Sequence, residues 1–98
     1  SEDECSFEVR NLVFIHSVDN EFDLAELSLG LGIENSEYDP EHFPGLVYRN
    51  PKIDGVFIIF RTGKIMLMGI KDEDEAIESY RELHSILSDL GIEIPSLN

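Results

Sequence analysis

Ninety-eight residues give one small domain, with room for a single hydrophobic core and none for a second. At 42% hydrophobic and 9% aromatic, the chain is globular in composition, and its single cysteine, Cys5, excludes an internal disulfide and suits a reducing interior. Against 21 Asp and Glu stand 7 Lys and Arg, a formal net charge of −14, which argues against a polyanionic partner except at a local basic surface.

Residues 1–6 read as an acidic tail, and their charge is the opposite of a secretory n-region. No apolar run reaches the length of a membrane helix. These features predict a soluble protein of the cytoplasm or nucleoid with no membrane partner. From Phe7 to Val18 the β-branched and aromatic content of FEVRNLVFIHSV predicts a long strand, closed by an Asp19-Asn20 turn. Asp23 is placed to cap a short helix through Leu31, with Leu24, Leu27 and Leu31 on one face and Gly30 and Gly32 loosening its end. Residues 35–45, NSEYDPEHFPG, are punctuation: two prolines, a glycine and several turn formers. Leu46–Asn50 and Gly55–Arg61 read as strands, and Thr62-Gly63 as the hairpin turn into a further strand, Lys64–Ile70. Asp72 starts the last helix, with Glu75 as a capping-box partner. That helix is expected to bury Ile77, Tyr80, Leu83, Leu87 and Leu90 and to stop at Gly91. Residues 93–98 follow as a tail. The order β–α–(short β)–β–β–β–α predicts an α+β domain with an antiparallel sheet.

The strands carry the main functional clue. In NLVFI, VFIIF and IMLMGI both faces are apolar, whereas a half-solvated antiparallel sheet alternates apolar with polar. Two amphipathic helices cover one face, and nothing in the sequence is left to cover the other. The uncovered face is expected to carry Asn11, Val13, Ile15, Ile58, Phe60, Met66 and Met68. An apolar patch of this kind marks an interface. Charge is also uneven. Between Phe43 and Lys71 lie Arg49, Lys52, Arg61, Lys64 and Lys71 with one acid, Asp54, a local balance of +4. Strand-end cations also blunt sheet edges, so this island serves either purpose.

Chemistry finds no foothold. His16, His42 and His84 share no metal-ligand spacing with Cys5. The acidic run at 72–75 lacks the spacing of a calcium loop, and Tyr80 with His84 has no accompanying nucleophile. Gly63 and Gly69 stand outside any phosphate-loop pattern. No catalytic residue, metal or cofactor is expected.

EYDPEHFPGLVYR, followed after eight residues by IIFRTGKIMLMGIK, resembles the stirrup and central strands of the TATA-box-binding protein family in its archaeal form. The opening RNLV is similar to that family's first strand, and the likeness spans residues 8–91 as a single repeat, here bounded as 7–92. The resemblance implies a half-saddle: a curved antiparallel sheet with two helices on its convex face. It further implies that the concave face grips the minor groove of A·T-rich, TATA-like promoter DNA and bends it with phenylalanine wedges. The wedges fall on Phe43 and Phe60, and the groove-floor contacts on Asn11, Val13, Met66 and Met68, with Ile58 also on the DNA-binding face. Arg49, Arg61 and Lys64 fall at phosphate contacts. Glu37, Asp39 and Glu41 stand where the family meets a transcription factor B-type protein. A homodimer, or a second repeat, would complete the saddle.

Two departures bear on this. The family usually has Val and Thr where this chain has Met66 and Met68, which removes a hydroxyl and adds length and flexibility. Only one repeat is present. An alternative reading is therefore a protein-interaction module whose apolar face binds a protein partner or a second copy in place of DNA. An accessory domain of a nucleic-acid enzyme is a third reading.

Overall fold

The computed structural model describes residues 12–95. Their elements run β1 (Leu12–Ser17), α1 (Leu24–Leu31), β2 (Ser36–Glu37), β3 (Leu46–Tyr48), β4 (Val56–Ile59), β5 (Lys64–Ile70) and α2 (Glu73–Asp89). The strands form one five-stranded sheet in the order β1-β5-β4-β3-β2, every neighbouring pair antiparallel. The sheet is curved and carries both helices on one face, so the expected α+β half-saddle is the observed architecture.

Two strands are shorter than their composition suggests. β3 stops at Tyr48 because Asn50 closes a turn: its carbonyl accepts from Ile53 N at 2.9 Å and its Oδ1 from Lys52 N at 2.8 Å. β4 stops at Ile59 because Phe60 locks the hairpin, donating to Lys64 O at 2.9 Å and accepting from Gly63 N at 3.0 Å. Of the strand expected from Phe7, the part at 7–11 lies outside the described residues.

Both helices start at the expected caps. Asp23 Oδ1 accepts from Glu26 N at 3.2 Å, and Asp72 Oδ1 from Glu75 N at 2.8 Å. Glu75 reaches back in turn to Lys71 N at 2.8 Å, one residue before the cap itself. Each bond to the caps occupies an amide that the first helical turn leaves open, and Glu73, Asp74 and Glu75 suit the positive end of the helix dipole.

The core lies between the sheet and the helices. Leu24, Leu27 and Leu31 from α1 meet Leu46, Tyr48, Phe57, Ile59, Ile65 and Leu67 from the sheet, with Tyr80, Leu83 and Leu87 from α2. Two expected members differ. Ile77 is only half-buried, at the edge of α2. Leu90 is 41% exposed, because α2 ends at Asp89 and the chain turns at Gly91, whose φ is +83°. Leu90 instead lies over α1 at Gly30, where an added Cβ would come 3.1 Å from its Cδ1. Ile94 returns to the core at 5% exposure, within the stretch expected as a tail. Among the described residues no helix is long and apolar enough to cross a membrane.

Candidate nucleic-acid interface

Strand register decides what shares a face, because directly opposed residues in an antiparallel pair point to the same side. Ile15 opposes Met66, Met66 opposes Ile58, and Ile58 opposes Val47. Beside this row runs a second, in which Val13 opposes Met68 and Met68 opposes Val56. The face away from the helices is thus two cross-strand rows of aliphatic and thioether side chains. Val13 and Ile15 are 52% and 59% exposed, and Met66, Met68, Ile58, Val47 and Val56 are half-buried. Of the residues expected on this face, Val13, Ile15, Ile58, Met66 and Met68 are brought together. Asn11 lies outside the described residues. Val47 and Val56 were not expected there. The signal for Val47 was its place between Leu46 and Tyr48, both of which the core takes.

An aromatic pair ends the face. Phe43, in the loop before β3, and Phe60, after β4, meet edge to face with ring centroids 6.0 Å apart and planes at 62°. Neither joins the core; Phe43 is 42% exposed and Phe60 half-buried. The loop is held by Asp39, whose carbonyl accepts from His42 N and Phe43 N at 3.0 Å each. Its carboxylate accepts from Glu41 N at 3.3 Å and meets His42 Nδ1 at 2.7 Å. Gly45 leaves room for the rings to meet: a Cβ there would stand 2.8 Å from Ile58 Cγ2, 2.9 Å from Phe43 Cε2 and 3.1 Å from Phe60 Cε1.

Positive charge gathers near the same end. The Lys64 ammonium lies 5.6 Å from the centroid of the Phe60 ring, a cation–π distance, and Arg61 is exposed beside it in the hairpin turn. Arg49 is partly compensated, with its guanidinium 3.5 Å from Glu37. Of the three acids expected to meet a partner, Glu37 therefore carries Arg49 and Asp39 carries His42, while Glu41 is exposed. The surface so built presents apolar bulk flanked by rings and cations. It offers contact and stacking, and among the described residues none is placed on it to transfer a proton or make a bond.

Comparison with known proteins gives this geometry a context. Residues 6–90 match the family model described as transcription factor TFIID, or TATA-binding protein. TATA-box-binding protein D of Halobacterium salinarum is 40% identical over 84 residues, covering 86% of this chain and 45% of that protein. A TATA-box-binding protein of Haloarcula marismortui is 38% identical over 91 residues, 93% of this chain and 49% of its own length. Among solved structures, Methanococcus jannaschii TBP superposes with a TM-score of 0.75 at 35% identity, over 87% of this chain and 47% of that one. The chain spans about half the length of the relatives it matches. The family is one of DNA-binding transcription factors and not of enzymes. With a single match running through β1, both helices and the whole sheet, this chain belongs to the TATA-binding protein family.

Proposed function

We propose that the chain is a transcription initiation factor that grips the minor groove of A·T-rich promoter DNA with the uncovered sheet face. The observation that carries this reading is the pair of aliphatic rows ending at the Phe43–Phe60 contact. A minor groove offers a floor of A N3 and T O2 acceptors, to which guanine adds an amine donor. Val13, Ile58, Met66 and Met68 provide no acceptor well suited to that amine, which favours A·T pairs. Asn11 would add amide donors for the floor. Phe43 and Phe60 are the wedges: a flat apolar ring replaces a base neighbour and kinks the duplex. Arg61 and Lys64 reach phosphates beside them, and Arg49 joins once it exchanges Glu37 for a phosphate. The working unit is a homodimer or one half of a two-repeat saddle. A transcription factor B-type protein meets the acidic side at Glu37, Asp39 and Glu41.

The test is a titration against labelled A·T-rich and G·C-rich duplexes, with bending read by end-to-end energy transfer from dilute to molar potassium salt. Bending of the A·T duplex alone is expected, and Phe43→Ala should weaken binding by about 1–3 kcal/mol, the scale of one aromatic–base stack. Bending that survives in the Phe43→Ala, Phe60→Ala double variant removes the wedge mechanism.

A second reading rests on Met66 and Met68 and on the charge of −14. Flexible thioethers at the centre of the face suit a protein surface as well as a groove. On this reading the face binds a protein partner or a second copy. Absence of DNA binding at every salt concentration selects it.

A further inference from the structure

The sequence holds two methionines, and the fold sets both on the uncovered face. Met66 and Met68 alternate with Ile65 and Leu67, which the core takes, so both thioethers point away from the helices. Strand pairing surrounds them with hydrocarbon: Met66 lies between Ile15 and Ile58, and Met68 between Val13 and Val56. Both are half-buried, and Val13 and Ile15 beside them are mostly exposed, so the face is open to water and small solutes. Cys5, the chain's other sulfur, lies outside the described residues.

We propose that Met66 and Met68 form a reversible oxidation site, through which a hydroperoxide releases the face from A·T-rich DNA. The inference rests on the DNA-binding reading given above. A sulfur lone pair attacks the distal peroxide oxygen, the O–O bond breaks and an S–O bond forms. The proton on that oxygen passes to the departing hydroxide or alkoxide. The thioether is oxidised to a sulfoxide, and the peroxide is reduced to water or an alcohol. The free protein tolerates the product, because the new oxygen meets water over an open face. The complex does not. Over A·T pairs the groove floor of A N3 and T O2 presents acceptors alone, and the sulfoxide oxygen is also an acceptor, so neither finds a donor. The guanine amine is a donor, and it gains in the sulfoxide the acceptor that the thioether lacked. Oxidation therefore weakens A·T binding most and erodes the preference for A·T pairs. Reduction of the sulfoxides restores the apolar face.

The test compares peroxide-treated and untreated full chain on A·T-rich and G·C-rich duplexes, with oxidation at each methionine followed by mass spectrometry. Complete oxidation should lower A·T affinity about tenfold or more, the scale of one or two polar groups left unpaired, and lower G·C affinity by less. Circular dichroism should show an unchanged fold, and methionine sulfoxide reductases should restore binding. A bound A·T duplex covers both sulfurs and should slow their oxidation. The loss should persist in Cys5→Ser. It should vanish in Met66→Leu, Met68→Leu, a volume-conserving pair of changes, when treated protein is compared with the same variant untreated. Several outcomes overturn the proposal and leave the DNA reading standing: A·T binding unchanged after complete oxidation, equal losses on the two duplexes, no slowing by DNA, or unfolding on treatment. A loss abolished by Cys5→Ser, or retained in the double methionine variant, overturns it in the same way. Failure of the untreated protein to bind A·T-rich DNA at any salt concentration removes that reading, and this inference with it.

Discussion

At Gly45 and Gly63 the missing side chain matters for different reasons, and substitution separates them. The three atoms nearest a Cβ at Gly45 belong to side chains, of Ile58, Phe43 and Phe60; exposed Phe43 can swing away, whereas the β-branched Ile58 is held in β4. Gly45→Ala should therefore cost about 1–3 kcal/mol of stability while breaking the ring contact, seen as loss of Phe43–Phe60 proximity by NMR. A Cβ at Gly63 would stand 2.3 Å from Val18 O and 2.6 Å from Asn20 O, on a backbone with φ +103°. Backbone cannot swing away without opening the bond by which Val18 N reaches Gly63 O at 2.9 Å. Gly63→Ala should cost about 3 kcal/mol or more, read by urea unfolding. Tyr80 makes a third prediction at this scale. Its folded pKa, near 12, stands above the ordinary value of 10.0 because burial disfavours the phenolate. The stability held by the neutral phenol is complete below pH 10 and is lost as pH rises toward 12. Between those values unfolding should become easier by up to about 1.4 kcal/mol per pH unit, and Tyr80→Phe should abolish that slope.

Among the elements, α2 depends on its start. Asp72 and Glu75 satisfy amides on both sides of the cap at 2.8 Å, and the last turn of α2 has no basic residue to balance the dipole at its other end. Asp72→Ala should cost about 1 kcal/mol, which for a domain of this size lowers the thermal midpoint by about 4–8 °C. β1 presents the opposite problem. It is an edge strand, and Val18 N bonds to Gly63 O. His16 and Phe14 share the phase of Val18 and bond toward β5, so Ile15 and Ser17 turn their amides and carbonyls outward. No Lys, Arg or Pro blunts the strand, and Leu12, Val13 and Ile15 are exposed. Such an edge is a template for pairing. If the proposed homodimer forms through β1, Ile15→Lys should keep the fold and shift the protein toward monomer in sedimentation velocity, whereas an unchanged distribution would remove β1 as the pairing edge.

For the whole molecule, net charge governs the response to salt. The sum of −14 sits on 98 residues, and the described ion pairs are exposed and worth little each. Like charges at this density repel within the folded state, and salt shortens the reach of that repulsion to about 3 Å at molar strength. The unfolding midpoint should therefore rise from dilute buffer to molar potassium chloride. DNA association should follow the same direction if repulsion by the acidic body outweighs the attraction of Arg61 and Lys64. Weaker binding in molar salt than in dilute buffer would show that the basic end dominates.

The sequence by itself settled the order of elements, both helix caps and the hairpin at Thr62-Gly63, because each is written locally in residue type and spacing. It also settled that two helical stripes cannot bury two apolar faces, so that among the described residues no helix covers one face of the sheet. Motif carried the family. Tertiary structure decided the composition of that face. Val47 and Val56 belong to it through their pairing with Ile58 and Met68, and register depends on where turns such as the one at Asn50 end the strands. Leu90 and Ile94 exchanged their expected places because the chain reverses at Gly91, a turn no helical period describes. The joining of His16 to Tyr80 was beyond the sequence as well. Residues 64 apart on a strand and a helix meet only when the helix is laid across the sheet, and packing alone fixes where it lies.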